Sequence, residues 1–183
     1  MTNNGSESSG DVGRTFIAEA LNFLNTEYLP KIERCLEQLT IADVWWRANS
    51  DSNSIGNLLL HLSGNVRQWI VSGLGGAPDQ RERQTEFDAK SGPSKEELLV
   101  GLRQTLAEAE AVLKGFDTNR LLQPYKIQGS DVSAHEAIFH VVEHFSMHTG
   151  QIILLTKMLA RKDLAFYDFS TGAPVHDWDA SKS

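Results

Sequence analysis

Apolar residues return at steps of three and four in four stretches of this chain, and nowhere do they alternate convincingly as a strand needs. That periodicity restricts the chain to an all-α class built from four long helices. The first stretch, Arg14 to Leu39, carries Phe16, Ile17, Ala20, Leu21, Leu24, Tyr28, Ile32, Leu36 and Leu39 on one stripe, with a kink predicted near Pro30. The second runs from Ile55 to about Leu74, with Ser54 as its N-cap and Gly73, Gly75, Gly76 and Pro78 closing it. Ser94 and Glu97 have capping-box spacing and open a third helix to about Gly115. Ser133 and Glu136 repeat the signal for a fourth, AHEAIFHVVEHFSMHTGQIILLTKMLAR, which runs without proline to Arg161.

The remaining segments fix the domain plan. Residues 1–13 are rich in Ser, Asn and Gly and are expected to be a disordered leader. The bundle then spans 14–161, with a long charged loop at 77–93, roomy enough for a short turn, and a second loop at 117–132. The tail from 162 to 183 holds Phe166, Tyr167, Phe169 and Trp178, too aromatic for a free end, and is expected to pack on the bundle or on a partner. With 40% hydrophobic residues in 183, one domain with a sizeable core follows. A net charge of −7 excludes a chain whose main work is gripping nucleic acid or an anionic membrane through its overall field. No apolar run approaches the roughly 20 residues of a membrane span, and the polar start lacks the features of a secretory signal, so a cytoplasmic location is expected. The single cysteine, Cys35, sits in the first helical stripe and reads as a buried thiol rather than a nucleophile. Trp45, Trp46 and Trp69 read as core or interface aromatics.

The chemistry-bearing residues are the histidines of the fourth helix. His140, His144 and His148 follow one another at intervals of four, so their imidazoles rise along one row. With His140 at 0°, an advance of about 100° per residue puts His144 near 40° and His148 near 80°, beside Val141, Leu155 and Leu159 and so on the core side. Glu143 and His135 project the other way; His135 and His176 read as surface or loop residues. On the second helix His61 lies at the edge of the stripe formed by Ile55, Leu58, Leu62, Val66 and Trp69, next to Asn65. Two imidazoles at i and i+4 plus one from a facing helix are the donor set of a three-histidine zinc-type site with an open position. His140 stays open between a ligand, a hydrogen-bond donor to a ligand and a core histidine. Asn65 and Gln151 are candidates for bonding the outer ring nitrogens of ligands. Phe145 stands where an HExxH metalloprotease keeps its glutamate, and no Glu-x-x-His of a di-iron site occurs on any helix. A glycine-rich phosphate loop and a nucleophile elbow are likewise missing.

IGNLLLHLSGNVRQWI together with HVVEHFSMHTGQIILLTK resembles the DinB-like superfamily of bacterial four-helix proteins, over nearly the whole span from Arg14 to Arg161. The resemblance implies an up-down-down-up bundle with a long crossover between helices two and three. It also implies a metal triad at His61, His144 and His148, followed by Gly150 and Gln151, with Thr149 where many members have arginine. A divalent ion, zinc or nickel, and often a homodimer go with that family, whose characterised members include S-transferases using a small thiol and a mycothiol-dependent isomerase. The expectation is therefore a metal-dependent enzyme that activates a small thiol or water for a small-molecule substrate, with catalytic residues beyond the triad unassigned. The competing expectation is a non-catalytic, stress-related binding protein whose metal is structural.

Overall fold

A computed structural model describes residues 5–170 and 172–178, with side chains from residue 12 onward, and the chain is mostly helical. Helix α1 (Gly5–Asn22) passes through a π-helical turn at Phe23–Tyr28 into α2 (Leu29–Glu37). Pro30 has no N–H to donate and its ring crowds the carbonyl of Thr26, and the ladder widens just ahead of it, with Leu29 N–H bonded to the Leu24 carbonyl. The expected kink is thus a π turn inside a continuous helix. Residues 5–13 are helical where a disordered leader was expected; residues 1–4 lie outside the described residues. That early start has a packing partner. Gly13 is pressed so closely on Thr118 that an added Cβ would lie 2.8 Å from the threonine Cβ.

Short helix α3 (Ile41–Val44) is set by a Thr40/Asp43 capping box and delivers Val44 to the core. Trp45 follows it and lies between Gly56 and Gly92, each without room for a Cβ, while its indole N–H donates to the Pro93 carbonyl at 3.3 Å. Trp46 is exposed, unlike its neighbour and unlike buried Trp69. Helix α4 (Ile55–Val66) starts at a Ser54/Asn57 capping box and continues as a second π turn, Arg67–Ser72, in which Gln68, Trp69, Ile70 and Val71 are all buried. The loop after it contains a short helix, α5 (Arg83–Asp88), and leads to α6 (Lys95–Gly115) and then α7 (Ala134–Ala160), both opened by the expected capping boxes.

A hairpin of β1 (Pro124–Ile127) and β2 (Ser130–Ser133) corrects the expectation of a strand-free loop. Gln128 and Gly129, both at positive φ (53° and 82°), make its two-residue turn. Only Ile127 of the hairpin is fully buried, so no apolar alternation announces it. The tail packs on the bundle: Arg34 donates to the Ala165 carbonyl at 2.7 Å and pairs with Asp177 at 2.7 Å, beside a ladder of β3 (Tyr167–Asp168) and β4 (Val175–His176). His176 is consequently half-buried against Glu27, at 3.1 Å, rather than a free surface residue.

Helix α4 packs on both α6 and α7, and α2 packs on α6 and α7, around one core containing Ile32, Leu58, Leu62, Leu102, Leu113 and Phe145. Each such side chain contributes about 1.5–3 kcal/mol by leaving water. Facing of α4 and α7 across this core is what brings the histidines of two elements together. Among the described residues no helix is long and apolar enough to cross a membrane.

Candidate metal centre

His61 from α4 and His144 and His148 from α7 form a group whose ligand atoms all lie within 4.8 Å of one another. The Nε2 atoms converge: His61 to His144 is 3.0 Å and His148 to His144 is 3.2 Å. Nitrogens held tetrahedrally at about 2.0–2.1 Å from zinc stand about 3.3 Å apart, so the spacing matches a shared ion. His61 and His148 are buried and His144 is half-buried.

Hydrogen bonds on the outer nitrogens fix which ring atom carries the proton. Nδ1 of His61 is 2.8 Å from Oε2 of Glu86, which can only accept, and Nδ1 of His148 is 2.8 Å from Oε1 of Gln151. Both Nδ1 atoms therefore donate, and both Nε2 atoms turn bare lone pairs toward His144. One imidazole can give its neighbours one proton at most, which leaves a surplus lone pair at the point of convergence. A cation resolves that surplus, and the donor set fits one. Burial first, then the neighbouring imidazoles and Arg81, hold His144 down to about 3, and burial likewise lowers His148. His144 and His148 are thereby held neutral near pH 7, the form that ligates.

The loop between α4 and α6 closes the site from outside. Arg81 grips Glu86 with Nε on Oε1 at 2.7 Å and Nη2 on Oε2 at 2.8 Å, and its Nη1 donates to Gln68 Oε1 at 2.9 Å. Burial would raise the Glu86 carboxyl, but the hydrogen bonds from Arg81 and His61 and the charge of Arg81 outweigh it and hold the group below the ordinary carboxylate value. Neither Arg81 nor Glu86 is legible as a site residue from the sequence, because both sit in the charged loop. One mark did exist: Gly64, one turn after His61, has no room for a Cβ against the Glu86 carboxylate.

The other candidates sort clearly. Gln151 bonds His148, whereas Asn65 bonds His140, with Nδ2 at 3.2 Å from its Nε2. His140 packs against Trp69 with ring centroids 4.1 Å apart and the planes tilted by 40°, and stands outside the three-histidine group, so direct ligation by it is not what the fold builds. Thr149 is buried and donates to the Phe145 carbonyl at 2.8 Å, so this chain turns that side chain into its own helix. Glu143 is exposed, as its place on the helix requires; His135 is exposed too, stacked on Phe16 at 4.6 Å.

Residues 11–172 match the family described as protein of unknown function, DUF1572. The crystal structure of a DinB-like protein from Bacillus cereus ATCC 10987 is similar at a TM-score of 0.58 and 18% identity, covering 73% of this chain and 87% of that one. A conserved protein from Enterococcus faecalis is similar at a TM-score of 0.61 and 14% identity, covering 83% of this chain and 97% of the other. At such identities the likeness is one of fold. No curated protein matches the chain.

Proposed function

The chain belongs to the DUF1572 family, within the DinB-like superfamily, and from that premise we propose that it is an up-down-down-up bundle acting as a divalent-metal-dependent enzyme on a small-molecule substrate. His61, His144 and His148 hold the ion, zinc or nickel, and the activated group is a small thiol or water, as in S-transferases. The observation that carries this reading is the pair of Nε2 lone pairs turned on His144 from 3.0 and 3.2 Å. A divalent cation there supplies the charge that draws a bound thiol or water toward ionisation near neutral pH. Glu86 and Gln151 hold two of the rings in orientation. Burial of His61 and His148 limits bulk water at their ring nitrogens, which strengthens charge interactions there.

A structural site wants four protein ligands, and among the described residues no fourth His, Cys, Asp or Glu joins the group. That favours the catalytic reading over the non-catalytic one. We propose also that the active form is a homodimer.

Elemental analysis of untagged protein tests the centre. The wild type is expected to carry close to one zinc or nickel per chain and the His61→Ala and His144→Ala variants almost none. A wild type that stays metal-free after reconstitution sinks the reading.

A further inference from the structure

Glu86 is 8% exposed, sits in the middle of a six-residue helix and lies 25 positions from the histidine it touches. An ion pair with Arg81 alone does not account for that placement, because burying two charges gains little stability and could be done on the surface at no desolvation cost. Arg81 already occupies both carboxylate oxygens. The further contact, His61 Nδ1 at 2.8 Å, is the one that α4 has been shaped to admit, since a side chain at position 64 would collide with the carboxylate and come within 2.9 Å of Arg81 Nε. Arg81 Nη2 also stands 3.1 Å from His61 Nδ1. Were Nδ1 the acceptor of that group, it would set a lone pair against Glu86 Oε2 and a proton toward the other histidines. Glu86 selects the tautomer that can ligate.

Resting on the reading of the triad as a metal site, we infer that Glu86 is a positioning residue for that site: it fixes the ring and the tautomer of His61 through a charged hydrogen bond, and is itself aimed by Arg81. The centre is thereby built from three elements, α4, α7 and the loop carrying α5, and its affinity depends on how that loop docks. Carboxylates that accept from the outer nitrogen of a ligating histidine are typically worth about 10–100-fold in metal affinity.

Zinc affinity, by competition with a chromophoric chelator, and the visible spectrum of the Co²⁺-loaded protein test this in wild type, Glu86→Gln, Glu86→Ala, Gly64→Ala and His61→Ala. Glu86→Ala is expected to bind zinc about 10–100-fold more weakly and to shift the Co²⁺ bands. Glu86→Gln, whose amide oxygen still accepts from Nδ1 and whose size is unchanged, is expected to fall between it and wild type. Gly64→Ala, which displaces the carboxylate from the other side, is expected to resemble Glu86→Ala. A purely structural Glu86 would lower the melting temperature of the metal-free protein and leave the Co²⁺ bands in place. Zinc affinity within about twofold of wild type and an unshifted Co²⁺ spectrum in Glu86→Ala and Gly64→Ala, with His61→Ala unable to bind, overturns this inference alone. A wild type that binds neither ion overturns the triad as well.

Discussion

Cys35 and the three histidines are all carried by the bundle helices, and their neighbours give them opposite chemistry. The cysteine is fully buried among the apolar residues of α2 and α7, and burial pushes its thiol up to about 11, with a bond to Thr156 and the charge of Lys157 working weakly the other way. In the unfolded chain the thiol ionises nearer its ordinary value of 9.0. The folded state thus holds the proton where the unfolded state releases it. Stability from this group is fully present below that ordinary value and is lost as pH rises toward 11. Alkylation by iodoacetamide at pH 8 is expected to be negligible in native protein and rapid in denaturant, read by intact mass. Rapid native labelling would show an exposed thiolate. The location of Cys35 follows from the helical stripe, and so does the inward aim of His144 and His148, because both depend only on residues a turn away. Glu86 depends on the path of a loop and could not be placed by any local rule.

At the scale of elements, the capping boxes at Ser54, Ser94 and Ser133 are local hydrogen-bond patterns, and they mark the starts of α4, α6 and α7 in the sequence as they do in the structure. The two π turns and the β1–β2 hairpin are less legible, since a widened ladder answers to packing and the hairpin to a two-residue turn. The loop between α4 and α6 is held by Asn57, which serves two elements at once. Its Oδ1 caps α4 by accepting from Ser54 N–H at 3.0 Å, and its Nδ2 donates to the carbonyls of Glu86 at 2.7 Å and Ala89 at 2.8 Å. Arg47 joins them, donating to Asn57 Oδ1 at 2.9 Å and to the Phe87 carbonyl at 2.7 Å. Replacing Asn57 by Ala strips the side-chain donor from the buried Glu86 carbonyl, at about 1–3 kcal/mol, while the Ala89 carbonyl keeps Arg47 Nη2 at 2.8 Å. Urea unfolding is expected to show a loss of that order, and hydrogen exchange to rise across residues 83–89 before it rises in α6. Uniform exchange across both segments would mean the asparagine only caps its helix.

Over the whole molecule, the helix that carries two of the histidines inward presents an apolar stripe outward. Phe139, Met147, Leu154 and Met158 are 59%, 48%, 60% and 57% exposed, and a rotation of about 100° per residue puts them in one sector of α7 with Glu143, Gly150 and Lys157. Large apolar residues aligned like this on one face are unusual for a surface left to water. The stripe is also self-complementary in charge. Glu143 and Lys157 stand equally far from Gly150 in opposite directions, so two copies of α7 crossing antiparallel at that glycine set each Glu143 beside Lys157 of the second copy. Nothing at Gly150 fills the space of a Cβ, which lets the helices approach there. This is the face on which the proposed homodimer is expected to form. Light scattering after size exclusion is expected to give a dimer for wild type and a monomer for Leu154→Glu. Glu143→Lys or Lys157→Glu alone is expected to weaken the dimer modestly, each exposed pair being worth about 0.2–1 kcal/mol, and the double exchange to restore it. Restoration in the double variant separates a two-fold contact through this helix from general loss of surface charge, because only the former pairs the two positions with each other. A dimer untouched by Leu154→Glu would place the interface elsewhere and leave the stripe of α7 without that role.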